Sequence, residues 1–162
     1  MILSRPQLLF STTACARTLQ AKTLRKASLM DGLITLQIRQ GDLLSETTEG
    51  IVNPANPRLE HEDGLAGHIV RQGGMVIQQE SDIALSKQPV RQINVGNAIA
   101  TGAGSLPYKK IIHAVGPVWE KDGEAKVAQL KSAITNSLEL AGVLGLKSLA
   151  IPAFSSGVYG FP

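Results

Sequence analysis

The chain has 162 residues and one cysteine, Cys15, which suits a single domain with a real core and admits no internal disulfide. A hydrophobic content of 43% excludes a disordered chain, and no run of about 18 apolar residues is present to span a membrane as a helix. The net charge of +3 is misleading until it is divided: residues 1–30 hold Arg5, Arg17, Lys22, Arg25 and Lys26 and no acid, whereas residues 31–162 hold eleven Lys and Arg against thirteen Asp and Glu. The folded part therefore lacks the basic balance of a nucleic-acid binder, and with 4% aromatics it has few rings on which bases could stack.

The acid-free segment 1–30 also carries four Thr and three Ser. That composition is the one a mitochondrial transit peptide shows, and a basic tail without fixed structure would share it. Helical amphipathicity over residues 14–27 is modest, because Leu19, Leu24 and Leu29 do not form one stripe. The expected organisation is a basic extension over 1–30, a mitochondrial targeting segment or an arm, followed by one domain over 31–162. The lone cysteine suits a reducing compartment, with cytoplasm or nucleus as the alternative location.

From residue 33 onward the pattern alternates between strands and helices. Leu33–Ile38 is a β-rich run ended by Gly41-Asp42, and Gly50–Asn53 is a short buried strand running into Pro54-Ala55-Asn56-Pro57. Residues 64–73 predict a helix broken by Gly73-Gly74, and residues 75–87 a second one. Val95–Thr101 and Lys110–Val115 predict strands, the latter stopped by Gly116-Pro117. Residues 124–142 predict a long helix with Val127, Leu130, Ile134, Leu138 and Ala141 as its buried stripe, and Ser148–Pro152 a last buried strand. Such alternation predicts an α/β fold in which helices cover a mixed sheet.

Ligands of open α/β sheets bind beyond the carboxyl ends of strands. Here those ends carry Gly41-Asp42, Asn53 to Asn56 and the loop Phe154–Phe161. Gly157 and Gly160 permit close backbone approach, and successive N–H groups in such a loop form a nest for phosphate oxygens. Asp63-Gly64-Leu65-Ala66-Gly67 opens a helix, whose free N–H groups also suit an anion. Two anion-binding loops at one sheet edge suggest a diphosphate held by backbone, since there is no P-loop lysine. Each signal has a plainer alternative: the glycines make a tight turn, Asp42 caps a helix, and Asn53 and Asn56 are turn residues. His113 fits a core histidine. His61 and His68 have no partners at metal-ligand spacing, so neither a metal nor a cofactor is expected. Lys109-Lys110 and the acids Glu120, Asp122 and Glu124 read as solvated surface.

Taken together, these blocks resemble the macrodomain family over about residues 33–162. The resemblance is carried by Gly41-Asp42-Leu43, Ile51-Val52-Asn53-Pro54-Ala55-Asn56, Gly64-Leu65-Ala66-Gly67, Gly73-Gly74, Ile111–Pro117 and Ile151–Pro162, in family order, and its flavour is that of macrodomains fused to some poly-ADP-ribose polymerases. It implies a three-layer α/β/α fold with a mixed sheet and an ADP-ribose ligand, free or protein-linked. Asp42 would accept a hydrogen bond from the adenine amino group, with Leu43 beside the ring. Asn53 belongs to the same site, and the Asn56 amide would meet the distal ribose. Gly64, Leu65 and Ala66 would flank the diphosphate. Ser155, Ser156, Gly157, Val158 and Tyr159 would cradle it from the other side, followed by Gly160, with Phe161 over the distal ribose.

Three departures qualify that implication. Glu62-Asp63 stands where the family commonly has two glycines. Ala66 stands where a well-studied hydrolase branch has an aspartate, which points to a binder rather than an enzyme. A helix and strand should follow Pro162. Without them the domain is incomplete, and a partner chain, or the apolar Leu8-Leu9-Phe10 of the arm, would cover an exposed edge. Two alternative functions remain: a non-catalytic structural subunit of a larger assembly, and a metal-independent hydrolase of ADP-ribosyl esters or acetyl-ADP-ribose.

Overall fold

The computed structural model describes residues 21–119 and 123–162. The expectations for residues 1–20, targeting and the Leu8-Leu9-Phe10 cover among them, lie outside the described residues, as do Glu120 and Asp122. The chain divides into two compact units, residues 1–42 and 43–162.

The first unit is an antiparallel hairpin of β1 (Lys22–Leu29) and β2 (Ile34–Gln40). Lys22–Leu29 belongs to the segment 1–30, expected as a basic tail or an arm, and forms a strand. Leu29 pairs with Ile34 across a turn in which Met30, Asp31 and Gly32 all take positive φ, at 51°, 53° and 93°. Asp-Gly tolerates that conformation at low cost, and it is a hairpin signal when flanked by β-rich runs. A bulge lies between Thr23 and Arg25, and the Arg39 guanidinium donates to the Thr23 hydroxyl across the pair at 3.1 Å.

The second unit opens on a single 3-10 turn, Leu43–Ser45, and then builds the layered domain. Its strands are β3 (Gly50–Ala55), β4 (Ala98–Thr101), β5 (Lys110–Val115) and β6 (Leu149–Ala150). They lie in the order β4-β5-β3-β6, with β3 parallel to β5 and β6 and with β4 antiparallel to β5. The sheet is therefore mixed. The first and last strands are shorter than the sequence predicts. Gly96 takes φ 91° and its N–H bonds to the Val115 carbonyl, so regular pairing of β4 begins only at Ala98, while β6 spans two residues rather than five.

Alternation along β3 and β5 sorts their side chains onto two faces. Ile51 and Ile111 pack with Ile69, Val70 and Ile77 from α1 (Gly64–Gly73) and α2 (Val76–Ser86). Val52, Ile112 and Ala114 face α3 (Gly123–Val143), together with Ala141 and the half-buried Leu130 and Ile134. The result is a helix–sheet–helix sandwich. Ile51, Val52, Ile111 and Ile112 are fully buried, each contributing on the order of 1.5–3 kcal/mol of hydrophobic stabilisation.

The stripe of α3 differs from the expected one. Val127 and Leu138 are exposed, and Ala133, Ser137 and Ala141 are the buried positions. Small side chains let the helix approach the sheet closely. Ser137 is tolerated there because its hydroxyl donates to the Ala133 carbonyl at 2.7 Å, which satisfies it within its own helix. Among the described residues no helix is long and apolar enough to cross a membrane.

Candidate functional site

The carboxyl ends of β3, β5 and β6 open into a cleft of about 500 Å³ in the second unit. Pro54, Ala55 and Asn56 reach it from β3, Gly116 from β5, and Pro152 and Ala153 from β6. One side is the segment Glu62–Ala66 that starts α1, with Glu60 beside it. The other is the loop Ser155–Tyr159. A second cleft of the same volume runs between α3 and the start of β4, lined by carboxamides such as Gln88, Gln92, Asn94 and Asn97. It has neither a glycine-rich loop nor a helix N-terminus, and the position rule for open α/β sheets selects the first.

The α1 side is built to present backbone donors. Asp63 is the N-cap residue, extended at φ −125°, yet its side chain makes no capping bond. The first turn's N–H groups have no partner within a helix, and a side-chain cap would normally take one of them. Here the N–H groups of Gly64, Leu65 and Ala66 stay clear of the Asp63 carboxylate, at the positive end of the helix dipole. The turn is tight: a Cβ at Gly67 would collide with the Glu62 carbonyl oxygen.

The opposite loop holds itself in shape. Phe161 N–H bonds to the Ser155 carbonyl, Gly160 N–H to that of Gly157, both at 2.9 Å, and the Ser156 hydroxyl donates to Ala153. Trp119 N–H ties the loop down through the Tyr159 carbonyl at 2.8 Å. The sequence assigns the unusual backbone to Gly157 and Gly160. Gly160 takes φ 64°, but the other left-handed residue is Ser155, at φ 55°. A non-glycine residue there stores strain on the order of 1–2 kcal/mol. Its hydroxyl is buried, has no hydrogen-bond partner among the described residues, and sits so close to Gly116 that a Cβ there would lie 2.5 Å from the oxygen.

The floor rests on a buried polar chain. The Thr101 hydroxyl donates to the Gly102 carbonyl and so accepts from His113 Nε2, at 2.8 Å. His113 Nδ1 then accepts from Asn53 Nδ2 at 3.0 Å. In the same way the Ser81 hydroxyl donates to Ile77 and accepts from His61 Nε2, leaving His61 Nδ1 to face Asn53 Nδ2 at 3.3 Å. The two imidazoles stack with centroids 4.7 Å apart. Burial lowers His113 to about 3, with the neighbouring His61 adding to the effect, and burial lowers His61 to about 4 against a partial offset from Asp82. Both rings are neutral at physiological pH, as a nitrogen Nδ1 that accepts from the Asn53 amide requires.

The expected site residues thus fall into two sets. Asn56, Gly64, Leu65, Ala66, Ser155, Ser156, Gly157, Val158 and Tyr159 are brought together around the cleft. Gly160 and Phe161 lie just beyond the wall, with the Phe161 ring edge-on to Trp119. Asn53 is fully buried beneath it, its amide committed to the two histidines. Leu43 packs on the core with Ile51 and Tyr108, and its carbonyl accepts from the Tyr108 hydroxyl. Asp42 ends the hairpin unit. Asn56 lines the cleft while shaping its own loop: Oδ1 accepts from the N–H groups of Arg58 and Glu60, and Nδ2 donates to the Glu60 carbonyl at 3.0 Å, which leaves one amide hydrogen for a ligand. His61 and Gln78 are contributors that the sequence does not reveal. Gln78 accepts from His61 N–H and donates to the Leu59 carbonyl, fixing the loop that leads into α1.

Residues 52–162 match the Macro domain family. The chain belongs to the macrodomain family. The Oceanobacillus iheyensis macrodomain solved with ADP superposes at a TM-score of 0.76 with 34% identity, over 88% of this chain and 74% of that one. The Trypanosoma brucei macrodomain in complex with ADP-ribose gives 0.64 and 29%, over 74% of this chain and 47% of that one. O-acetyl-ADP-ribose deacetylase 2 of Pantoea vagans is 39% identical over 78% of this chain and 73% of its own length. Mouse protein mono-ADP-ribosyltransferase PARP9 is 40% identical over 91% of this chain, and an uncharacterised Thermotoga maritima protein 43% identical over 78%. The chain spans only 18% and 21% of the lengths of those last two relatives.

Proposed function

We propose that this macrodomain is a binding module for ADP-ribose, with the diphosphate lodged between the first turn of α1 and the Ser155–Tyr159 loop. The observation that carries the reading is the pair of facing anion sites: uncapped N–H groups at the helix start and a self-braced loop across the cleft. Macrodomain neighbours solved with ADP and with ADP-ribose support it. Titration calorimetry should show binding of ADP-ribose and markedly weaker binding of AMP, which lacks the second phosphate and the distal ribose. Equal affinities for the two would refute the diphosphate assignment.

A hydrolase reading is favoured by the likeness to the Pantoea vagans deacetylase. Against it stands Ala66, which brings no carboxylate to the cleft. We expect release of ADP-ribose from modified acidic side chains, and of acetate from acetyl-ADP-ribose, far below about 1 s⁻¹. Turnover at or above that rate makes this chain an enzyme.

A further inference from the structure

β4 is an outermost strand of its sheet, paired with β5 on one side and, among the described residues, with no strand on the other. The Val115 N–H donates to the Asn97 carbonyl at 3.0 Å, and alternation along the antiparallel pair then fixes which groups turn inward. Asn97, Ile99 and Thr101 turn towards β5. The N–H and carbonyl groups of Ala98, Ala100 and, just past the strand, Gly102 turn outward. The Glu80 carboxylate accepts from the Gly102 N–H at 2.6 Å, which closes that end of the edge. Among the described residues nothing bonds the outward groups of Ala98 and Ala100. Donors and acceptors left open at ladder spacing are a template for another strand. The second cleft, of about 500 Å³, lies on this open part. Ile99 packs with Leu85 and Ile93 on one face of the sheet, while Ala98 and Leu140 join the core on the other. A cleft that Ile93 and Leu140 both line, with Ala98 and Ile99 between them, runs over the edge itself, walled by the 88–94 segment and by α3.

We propose that this cleft takes an extended peptide of another protein, neutral or basic in charge, which adds to the sheet beside β4. Main-chain bonds to Ala98 and Ala100 hold it, and its alternate side chains rest against Leu140 and Val143. The Gln88, Gln92 and Asn94 side chains on the opposite wall each offer an amide donor and an acceptor, the pair that a peptide group needs. Glu139 is the only charged residue among those lining the cleft, so Lys or Arg fits beside it and a phosphate-bearing polymer finds no cation. The walls also decide against a second copy of this chain. They leave room over the edge for a bare strand, but not for another β4 flanked by its own α3 and 88–94 segment. None of these residues lines the cleft at the start of α1, so the inference stands apart from the ADP-ribose reading.

The test uses the whole chain and three end-capped octapeptides: one alternating Val and Lys, the same peptide N-methylated at every residue, and one with Glu in place of Lys. Titration of the first should shift the amide resonances of Ala98 and Ala100 and leave those of Gly64 to Ala66 in place. The N-methylated peptide, which has no N–H to donate, should not bind. The Glu peptide should bind about threefold more weakly than the Lys peptide in low salt, and the gap should close in E139Q. Ala98→Pro should weaken the Lys peptide about tenfold. Proline is tolerated at that position because the Ala98 N–H takes no part in the β4–β5 ladder, and a melting curve checks the fold. No binding of the Lys peptide at about 1 mM overturns the inference, as does equal binding of its N-methylated form or an undiminished affinity in folded A98P. Tighter binding of the Glu peptide overturns the charge assignment. A concentration-dependent dimer that A98P dissolves overturns the inference in favour of a second copy.

Discussion

Lowering the pH from 7 to 5 should destabilise the second unit through its two buried histidines, before its carboxylates titrate. His113 is held neutral at about 3 and His61 at about 4, both below the ordinary 6.5. The unfolded chain therefore takes up protons first as the pH falls. Their stabilising effect is complete above about 6.5 and is lost progressively as the pH drops towards 4. At pH 5 an unfolded histidine is almost wholly protonated and a folded one of this kind almost wholly neutral. The difference amounts to about 2 kcal/mol for His113. For His61, which lies nearer the surface, a discounted figure of about 1 kcal/mol is appropriate. The sum, about 3 kcal/mol, is a large share of a typical domain stability of about 5–15 kcal/mol. Glu49, lowered by its bonds to Lys109 and Lys147, contributes its loss only at lower pH, so the two windows separate. Urea unfolding at pH 7, 6 and 5 with constant ionic strength measures the effect, and histidine Hε1 resonances of the folded protein identify the source. A stability that stays level between pH 7 and 5, or His61 and His113 signals that titrate near 6.5, would refute the neutral buried chain.

Asn56→Ala removes the three bonds that close the 56–60 loop and should weaken ADP-ribose binding by about 1–3 kcal/mol, read by calorimetry beside a melting curve that checks the fold. Ser155→Gly releases the strain of φ 55° and should raise Tm by a few degrees while lowering affinity for ADP-ribose. A variant that loses both stability and affinity would show that Ser155 is not strained. On α3, Ala133→Leu should destabilise by about 1–3 kcal/mol through overpacking, whereas Leu138→Lys should stay within about 0.5 kcal/mol in urea unfolding. The reverse order would restore the stripe that the sequence pattern suggests.

Those α3 positions show where periodicity stops being informative. Apolar spacing finds the helix, because Leu130, Ile134 and Ala141 recur at the right interval. It does not find the face to within one residue, because the sheet selects small side chains at close approach, and Ser137 is small before it is polar. The strands divide in the same way. β3 and β5 are unmistakable in sequence, being apolar runs ended by Pro and Gly in a fully covered sheet. β1 is hidden because its Lys, Arg, Thr and Ser residues read as a basic tail. Only the Asp31-Gly32 turn reveals that the segment folds back on β2.

The site is legible for a different reason. A cleft walled by main chain leaves a signature in residue types, since glycines and short polar residues stand where the backbone is open to it, and Gly64–Ala66 and Ser155–Tyr159 line the cleft beyond the strand ends. Side-chain support leaves none. Asn53 and His113 are 60 residues apart, and nothing local to either reveals that one amide bridges two imidazoles. Asn53 reads as a ligand group beside Asn56, yet neighbours on a strand point to opposite faces and positions of different parity part company. Asn56, three residues on and beyond the strand, reaches the cleft, while Asn53 is held below it. The chain of Thr101, His113, Asn53, His61 and Ser81 then links β4, β5, β3, the 56–63 loop and α2 under the cleft floor. A substitution at Thr101 or Ser81 should therefore disturb ligand affinity without touching the ligand, by shifting the loop that sets the first turn of α1.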